Sequence, residues 1–493
     1  MKNKRIAALF LSLLFAGYTM ISCSDDTTDT NEVPSGTLQN SEVIPETEKE
    51  LTLAEQRELL TNDDLPDVKY DGREFRFAHQ TWALEYLYAE EINGEIVNDK
   101  TNEANMAVEE RFDVKITPVI LGEGDVAHGE ALKRVITAGD DTFEIAFGHD
   151  MLTPTASLEG YFLNILDVPH LSFDQPWWPA EALRQFTVNG KCYMGLSSIS
   201  YMSLARARVV YINEDLMESY QIELPYEDVI NGTWTYDKLI NLTKDFYQDA
   251  DGDGVKSEAD IYGYITEGGC YGYLENFGIN TIEKDEIQIL KVGFNPEKMI
   301  DVVEKTYSWL CESQGAKMTD DANAYGDAEF TQGRLLTGHF ELTGMLNQVR
   351  ETDINYGIVP MPKYDETQEN YVTSCVEHPM VLAKTLTGEQ LDFAGVITDA
   401  MAFENYKKVF PAYYEVALGK KYLNRDSVRM LEIINESASL SFSFVYDNGT
   451  GVNLCLYNLM CNPNPSADFA SFYRSREKIY QKNIENIIKA FED

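Results

Sequence analysis

"REFRFAH", residues 73–79, alternates apolar and polar side chains with the two-residue period of a strand. Residues 97–112 follow with Ala104, Val108 and Phe112 on one helical face. "VKITPVI" (114–120) then reads as a strand and "VAHGEALKRVITAG" (126–139) as a helix closed by Gly139. "TFEIAFG" (142–148) sets Phe143, Ile145 and Phe147 on one side of a third strand. Parallel strands need crossover connections, so this strand-helix alternation predicts an α/β fold with a parallel sheet covered by helices. Ligands of such sheets collect beyond the carboxyl ends of the strands. "HQTWALEYLY" (79–88) and "GHDMLTP" (148–154) are expected there.

Upstream of this run the chain changes character. Lys2, Lys4 and Arg5 precede the apolar stretch "IAALFLSLLFAGYTMI", which ends at Ser22 and Cys23. The pattern is that of a secretory signal. It resembles a bacterial lipoprotein signal, with Met20 where leucine is usual. That resemblance implies removal of residues 1–22 and lipid on the thiol and amine of Cys23, palmitate included. Lipid chains bind a membrane through about 0.8 kcal/mol per buried methylene. Residues 23–68 are rich in Asp, Glu, Thr, Ser and Pro, too polar to offset the entropy of ordering, and are expected to be a flexible acidic tether. "LTLAEQRELL" within it reads as a short helix.

A formal charge of −42 argues against nucleic acid or an anionic surface as partner, since phosphate binding rests on Lys and Arg. Beyond Cys23, the six cysteines 192, 270, 311, 375, 455 and 461 show neither a disulfide framework nor zinc spacing. Only Cys455 and Cys461 are near one another in sequence.

"DADGDGVKSEAD" (249–260) has the ligand spacing of a calcium loop: Asp249, Asp251, Asp253, the Val255 carbonyl, Ser257 and Asp260, with Gly254 at the sharp turn. An acidic surface turn is the plainer alternative. "IYGYI" after it reads as a strand and no second loop follows, so a structural Ca²⁺ is expected rather than a sensor. Extracellular modules of this type work at roughly 0.1–1 mM calcium.

The order of "DDTFEIAFGHDMLTPTASLEGYFLNI", "WWPAEALRQFTVNGKCYMGLSS", "ARVVYINEDLMESYQIELP", "TWTYDKLINLTKDF", "EFTQGRLLTGHFEL" and "INYGIVPMPKY" resembles the family 1 extracellular solute-binding proteins of ABC transporters. "PAYYEVALGKKYLNRDSVRMLEII" looks like a maltose-binding-protein-like, carbohydrate branch. The resemblance spans roughly residues 70–405. It implies a type II periplasmic-binding-protein-like fold: two discontinuous α/β lobes, 69–180 plus 328–384 and 181–327 plus 385–493, closing over ligand at a hinge.

Sugars present flat C–H faces rimmed by hydroxyls, so their sites combine aromatic platforms with planar polar groups. Trp82 is the first platform expected. By the resemblance, His149 and Asp150 of "GHD" face sugar hydroxyls, Phe340 and Glu341 follow a strand at the cleft, and Glu377 sits near a crossing with His378. Arg206 falls where the resemblance places a ligand-contacting acid near the crossing, and a guanidinium there instead favours an acidic or oxygen-rich sugar. Tyr271, with Tyr273, is a second platform, and Trp177 and Trp178 are expected at the lobe boundary.

The chain carries no G-x-S-x-G, H-E-x-x-H or Walker motif, and its 82 carboxylates make glycosidase-like pairs uninformative. The expectation is a non-enzymatic, lipid-anchored monomer that captures a carbohydrate and delivers it to an ABC permease at the cell envelope. A non-transport sensor or adhesin is the alternative, and a polysaccharide-degrading enzyme a remoter one.

Overall fold

The structure, a computed structural model, describes residues 57–62, 64–266, 270–285, 290–318, 327–349, 352–418, 425–447 and 449–492. All of them lie in the compact unit Leu51–Asp493. The signal segment and Cys23 fall outside the described residues.

Two sheets organise the chain. In the first, the Arg73–His79 strand lies between Val114–Ile120 and Ile145–Phe147, parallel to both, and Met380–Val381 pairs antiparallel at the edge. The expected run is present in order, with helices at Ile96–Phe112 and Gly124–Ala138. Ala104, Val108 and Phe112 are the buried apolar positions of the former. Gly139, at φ 72°, closes the latter in the left-handed conformation that glycine adopts without steric cost. Pro118 is tolerated because its strand is an edge, where a missing N–H breaks no ladder bond. The Ile145–Phe147 strand is buried on both faces, as strands of covered parallel sheets are.

The second sheet runs Tyr356–Pro360, Arg208–Asn213, Leu335–Glu341, Ile261–Thr266 and Tyr247–Gln248, with Ala316–Met318 also paired to Ile261–Thr266. Arg208–Asn213 runs antiparallel to both of its neighbours.

Sheet membership departs from the expected division. Of residues 328–384, the strands Leu335–Glu341 and Tyr356–Pro360 join the second sheet, and only Met380–Val381 joins the first. Of residues 385–493, the long Gly388–Leu418 helix packs on Ile96–Phe112, with the Phe393 ring 5.9 Å from Phe75 and 4.7 Å from Tyr70. The tether also ends earlier than residue 68. Asn62 is buried and donates to Asp399 Oδ2 at 3.1 Å, Arg111 donates to the Asn62 carbonyl at 2.8 Å, and Leu65 lies in the core.

Trp177 and Trp178 are buried. Both indole N–H groups donate to Asp399 Oδ1, at 3.2 and 2.8 Å, and the Ser172 N–H donates to the same oxygen at 2.9 Å. A fully buried carboxylate is tolerated because these donors replace its hydration.

Two of the stretches that carry the chain between the sheets run side by side. Gly195 bridges Met380 of the first sheet, while Ala207, next to the start of the Arg208–Asn213 strand, bridges Cys375. The candidate site is built around these crossings.

Candidate functional site

Glu341 ends its strand opposite Arg208 of the antiparallel neighbour. Arg206 holds its carboxylate in a fork, Nε to Oε2 at 2.7 Å and Nη2 to Oε1 at 2.8 Å, and Arg208 Nη2 adds a bond to Oε1 at 3.2 Å. Planar, bidentate pairs of this kind combine charge with fixed orientation. Phe340, one residue earlier, points to the opposite face, as the strand period demands. It is fully buried against Tyr211 and Phe330, at 6.2 and 6.5 Å, and belongs to the core rather than to a cleft.

Trp82 follows the first strand and remains 36% exposed. Its Nε1 donates to Asp125 Oδ1 at 2.9 Å, the Arg206 guanidinium lies 5.3 Å from its ring centre, and the His378 ring lies at 5.3 Å. The indole is thereby held by its edge and by neighbouring planar groups. His149 stands between two acids, Nδ1 3.0 Å from Asp150 Oδ1 and Nε2 3.9 Å from Asp125 Oδ2. Asp150 does not cap the Leu152–Ser157 helix, whose N-cap is Met151. It is buried instead. Burial pushes its carboxyl above the usual range, while His149, Arg206 and Arg208 pull it down.

Tyr271 packs its ring 4.8 Å from Tyr457, and the Arg208 guanidinium lies 5.7 Å from its centre. Tyr273 is wholly buried, its hydroxyl bonded to that of Tyr264, and is a core residue. Glu377 lies on the crossing, where burial pushes its carboxyl up to about 8, the Ser203 hydroxyl opposing and Asp150 adding to the rise. Glu275, buried and accepting bonds from the Ser441 hydroxyl and N–H, is pushed up to about 7 by that burial. Burial, aided by Arg206, holds the His378 imidazole well below its usual value, and its Nδ1 lies 3.4 Å from Ser200 Oγ.

Every expected ligand residue except Phe340 therefore belongs to one connected group. Asp125, Arg208, Glu275 and Tyr457 join it without having been singled out as ligand residues. Neither "GEGDVAHG" around Asp125 nor "YLEN" around Glu275 carries a local signal of a ligand site. Chemically the group offers an aromatic face, two guanidiniums matched by Glu341 and Asp150, and a carboxyl at Glu377 that is protonated at neutral pH. The Cys375 thiol nearby is held well above its usual value by burial and by Glu377, which makes it a poor nucleophile.

The acidic loop is a separate feature. Carboxylate oxygens of Asp249, Asp251 and Asp253 come within 4.8 Å of one another. Asp249 accepts from the Gly252 and Gly254 N–H groups at 2.7 and 2.9 Å, and both glycines have positive φ. Asp260 does not turn toward these three. It is buried, accepting from the Ala250 and Ser257 N–H groups and the Tyr247 hydroxyl, so it closes the loop from beneath. Val255 is exposed, and Ser257 Oγ accepts from the Ala259 N–H at 3.0 Å. Three clustered carboxylates are hard oxygen donors of the kind that suit a hard cation.

Neither a protein-family model nor a curated protein sequence matches the chain. Solved structures do. An ABC substrate-binding protein from Listeria monocytogenes in complex with cycloalternan superposes with a TM-score of 0.55 at 12% identity, over 84% of this chain and 100% of that one. The chain has the fold of ABC-transporter solute-binding proteins. UgpB from Mycobacterium tuberculosis, in complex with glycerophosphocholine, gives 0.58 at 12% identity over 85% of this chain and 100% of its own. The lacto-N-biose-binding protein of a Bifidobacterium longum ABC transporter gives 0.58 at 11%, over 85% and 99%. At these identities the likeness establishes the solute-binding-protein fold, in its type II form, and leaves the ligand open.

Proposed function

We propose that this chain is a lipid-anchored solute-binding protein of the cell envelope that captures a carbohydrate and hands it to an ABC transporter permease, without catalysing a reaction. The observation that carries this reading is the half-exposed Trp82 face, set beside His149, Asp150 and the Arg206–Glu341 fork at the crossings between the two sheets. An aromatic face with planar donors and acceptors at its rim fits a sugar ring. The fold shared with sugar-binding members of ABC transporters supports the same class.

In this reading Trp82, His149, Asp150, Arg206, Tyr271, Glu341 and Glu377 meet the ligand, and the two lobes are centred on the two sheets. Arg206 and Arg208 already share Glu341, with Asp150 close by, so the site favours an uncharged polyhydroxylated ring over an acidic one. Ca²⁺ held by Asp249, Asp251 and Asp253 stiffens the loop at a distance from sugar recognition. Lipid on Cys23 anchors a monomer to the membrane.

The test is a thermal-shift and calorimetric screen across neutral and acidic mono- and oligosaccharides. A ligand at a hundred times its dissociation constant stabilises by about 2.7 kcal/mol. Binding to a neutral sugar without product formation, lost in Trp82→Ala while the apo melting temperature holds, is the expected result. No shift across the panel, or release of a cleavage product, refutes the reading.

A further inference from the structure

Apart from the cleft and the acidic loop, the described residues contain one more concentration of metal-binding atoms, and it is made of sulfur. Cys311 Sγ lies 3.9 Å from Met460 Sδ, and Cys461 Sγ lies 3.8 Å from Met318 Sδ. Met460 and Cys461 are consecutive, so both contacts are made from the end of the Cys455–Met460 helix. The other two partners arrive on one short stretch. Cys311 lies in a π-helical turn, Ser308–Glu312, that ends the Pro296–Tyr307 helix, and Met318 ends the Ala316–Met318 strand that follows. Cys270 and Cys455 are buried alongside, and Cys461, Cys311 and Cys455 each raise the Cys270 thiol. Cys311 and Cys461 are only half buried, which leaves an approach from solvent.

We propose that Cys311, Cys461, Met318 and Met460 form a binding site for a soft monovalent metal ion, Cu(I). The spacing within each cysteine–methionine pair suits it. A metal about 2.3 Å from each of two sulfurs, at trigonal to tetrahedral angles, separates them by about 3.8–4.0 Å. The ligand chemistry narrows the ion. Thiolate paired with thioether selects Cu(I), whereas Zn²⁺ takes thiolate and imidazole and Ca²⁺ takes oxygen. Each thiol lies against a thioether, a pairing that supplies one anionic and one neutral soft donor and forms no disulfide. On binding, each coordinating thiol releases its proton to solvent and the metal stays Cu(I), so no oxidant or reductant is required. Metal and proton compete for each coordinating thiol, so binding strengthens as pH rises.

The experiment uses the full chain, reduced and anaerobic, titrated against a chromophoric Cu(I) chelator, with Ag(I) as a redox-inert second probe read by native mass spectrometry. Two double variants accompany it, Cys311→Ser with Cys461→Ser and Met318→Leu with Met460→Leu. The second pair conserves volume and keeps the fold testable should the first misfold. The native chain should withdraw a single equivalent of Cu(I), more strongly at higher pH. Both variants should bind at least about tenfold more weakly. Zn²⁺ should not compete. The proposal is overturned if the native chain withdraws no copper, if the Met→Leu pair binds as tightly as the native chain, or if Cys311 and Cys461 pair with each other as a disulfide in the isolated protein.

Discussion

At the scale of single residues, the site depends on charges that burial has rearranged. Glu377 keeps its proton in the folded chain up to about 8, whereas an unexposed-to-exposed change on unfolding returns it to the ordinary 4.5. The folded state therefore binds more protons than the unfolded state between those values. The stabilisation linked to this group is complete at the lower value and lost as pH climbs to about 8. Glu275, pushed up to about 7, acts in the same direction. His378 acts in the opposite one: neutral when folded, it draws stability down as pH falls below its ordinary 6.5. Above that value only the two carboxyls of this set still titrate. The melting temperature should fall between about pH 6.5 and pH 9, and Glu377→Gln, which stays neutral, should flatten that fall. A Gln variant whose pH profile overlays that of the native chain would show that Glu377 ionises normally.

At the scale of elements, two anchors can be tested separately from the site. Asp399, on the Gly388–Leu418 helix, gathers Trp177, Trp178, Ser172 and Asn62, tying the chain's entry segment and a buried loop to one helix face. Each donor left without its acceptor costs about 1–3 kcal/mol. Asp399→Ala should lower unfolding stability in urea by at least about 3 kcal/mol, with sugar affinity unchanged in the protein that remains folded. A loss under about 1 kcal/mol would mean that water replaces the carboxylate.

The acidic loop is the second anchor. The bond from the Asp253 N–H lowers the Asp251 carboxyl, but desolvation and repulsion from Asp253, Asp249 and Asp260 outweigh it, leaving it raised. A divalent cation relieves that repulsion. Millimolar calcium should raise the melting temperature, magnesium should do so less, and Asp251→Ala should abolish the rise while leaving solute affinity intact. Sugar affinity that followed calcium occupancy in the folded chain would move the metal into recognition.

At the scale of the whole molecule, the crossings near Ala207 and Cys375 join the two sheets and lie beside the candidate ligand residues. Ligand contacting groups on both sides of such crossings does the work of closure, because closure is favoured only by contacts made better in the closed form. Small-angle scattering of the apo and sugar-saturated protein should show a smaller radius of gyration on binding. A mutation in the crossing, such as Val376→Gly, should change the affinity more than the shape of the liganded form. Identical scattering curves with saturating sugar would place recognition in a rigid cleft.

How much of this was legible in sequence follows from the range of each interaction. The α/β class, the Arg73–His79, Val114–Ile120 and Ile145–Phe147 strands, the helices between them and the acidic loop were readable because periods of 2 and 3.6 and turn chemistry are local. Trp82, His149 and Asp150 could be placed beyond the strand ends because topology puts residues there. Tertiary structure alone decided the rest. Glu341 rather than Phe340 faces the site because strand register sets the outward side, and one residue of shift exchanges the two. Arg206 meets a carboxylate 135 positions away, and Trp178 meets Asp399 across 221, pairings that leave no trace in either local stretch. The Leu335–Glu341 strand enters the second sheet and the Gly388–Leu418 helix covers the first for the same reason. Local sequence determines which elements form, whereas buried area and hydrogen-bond satisfaction summed over distant partners determine where they go.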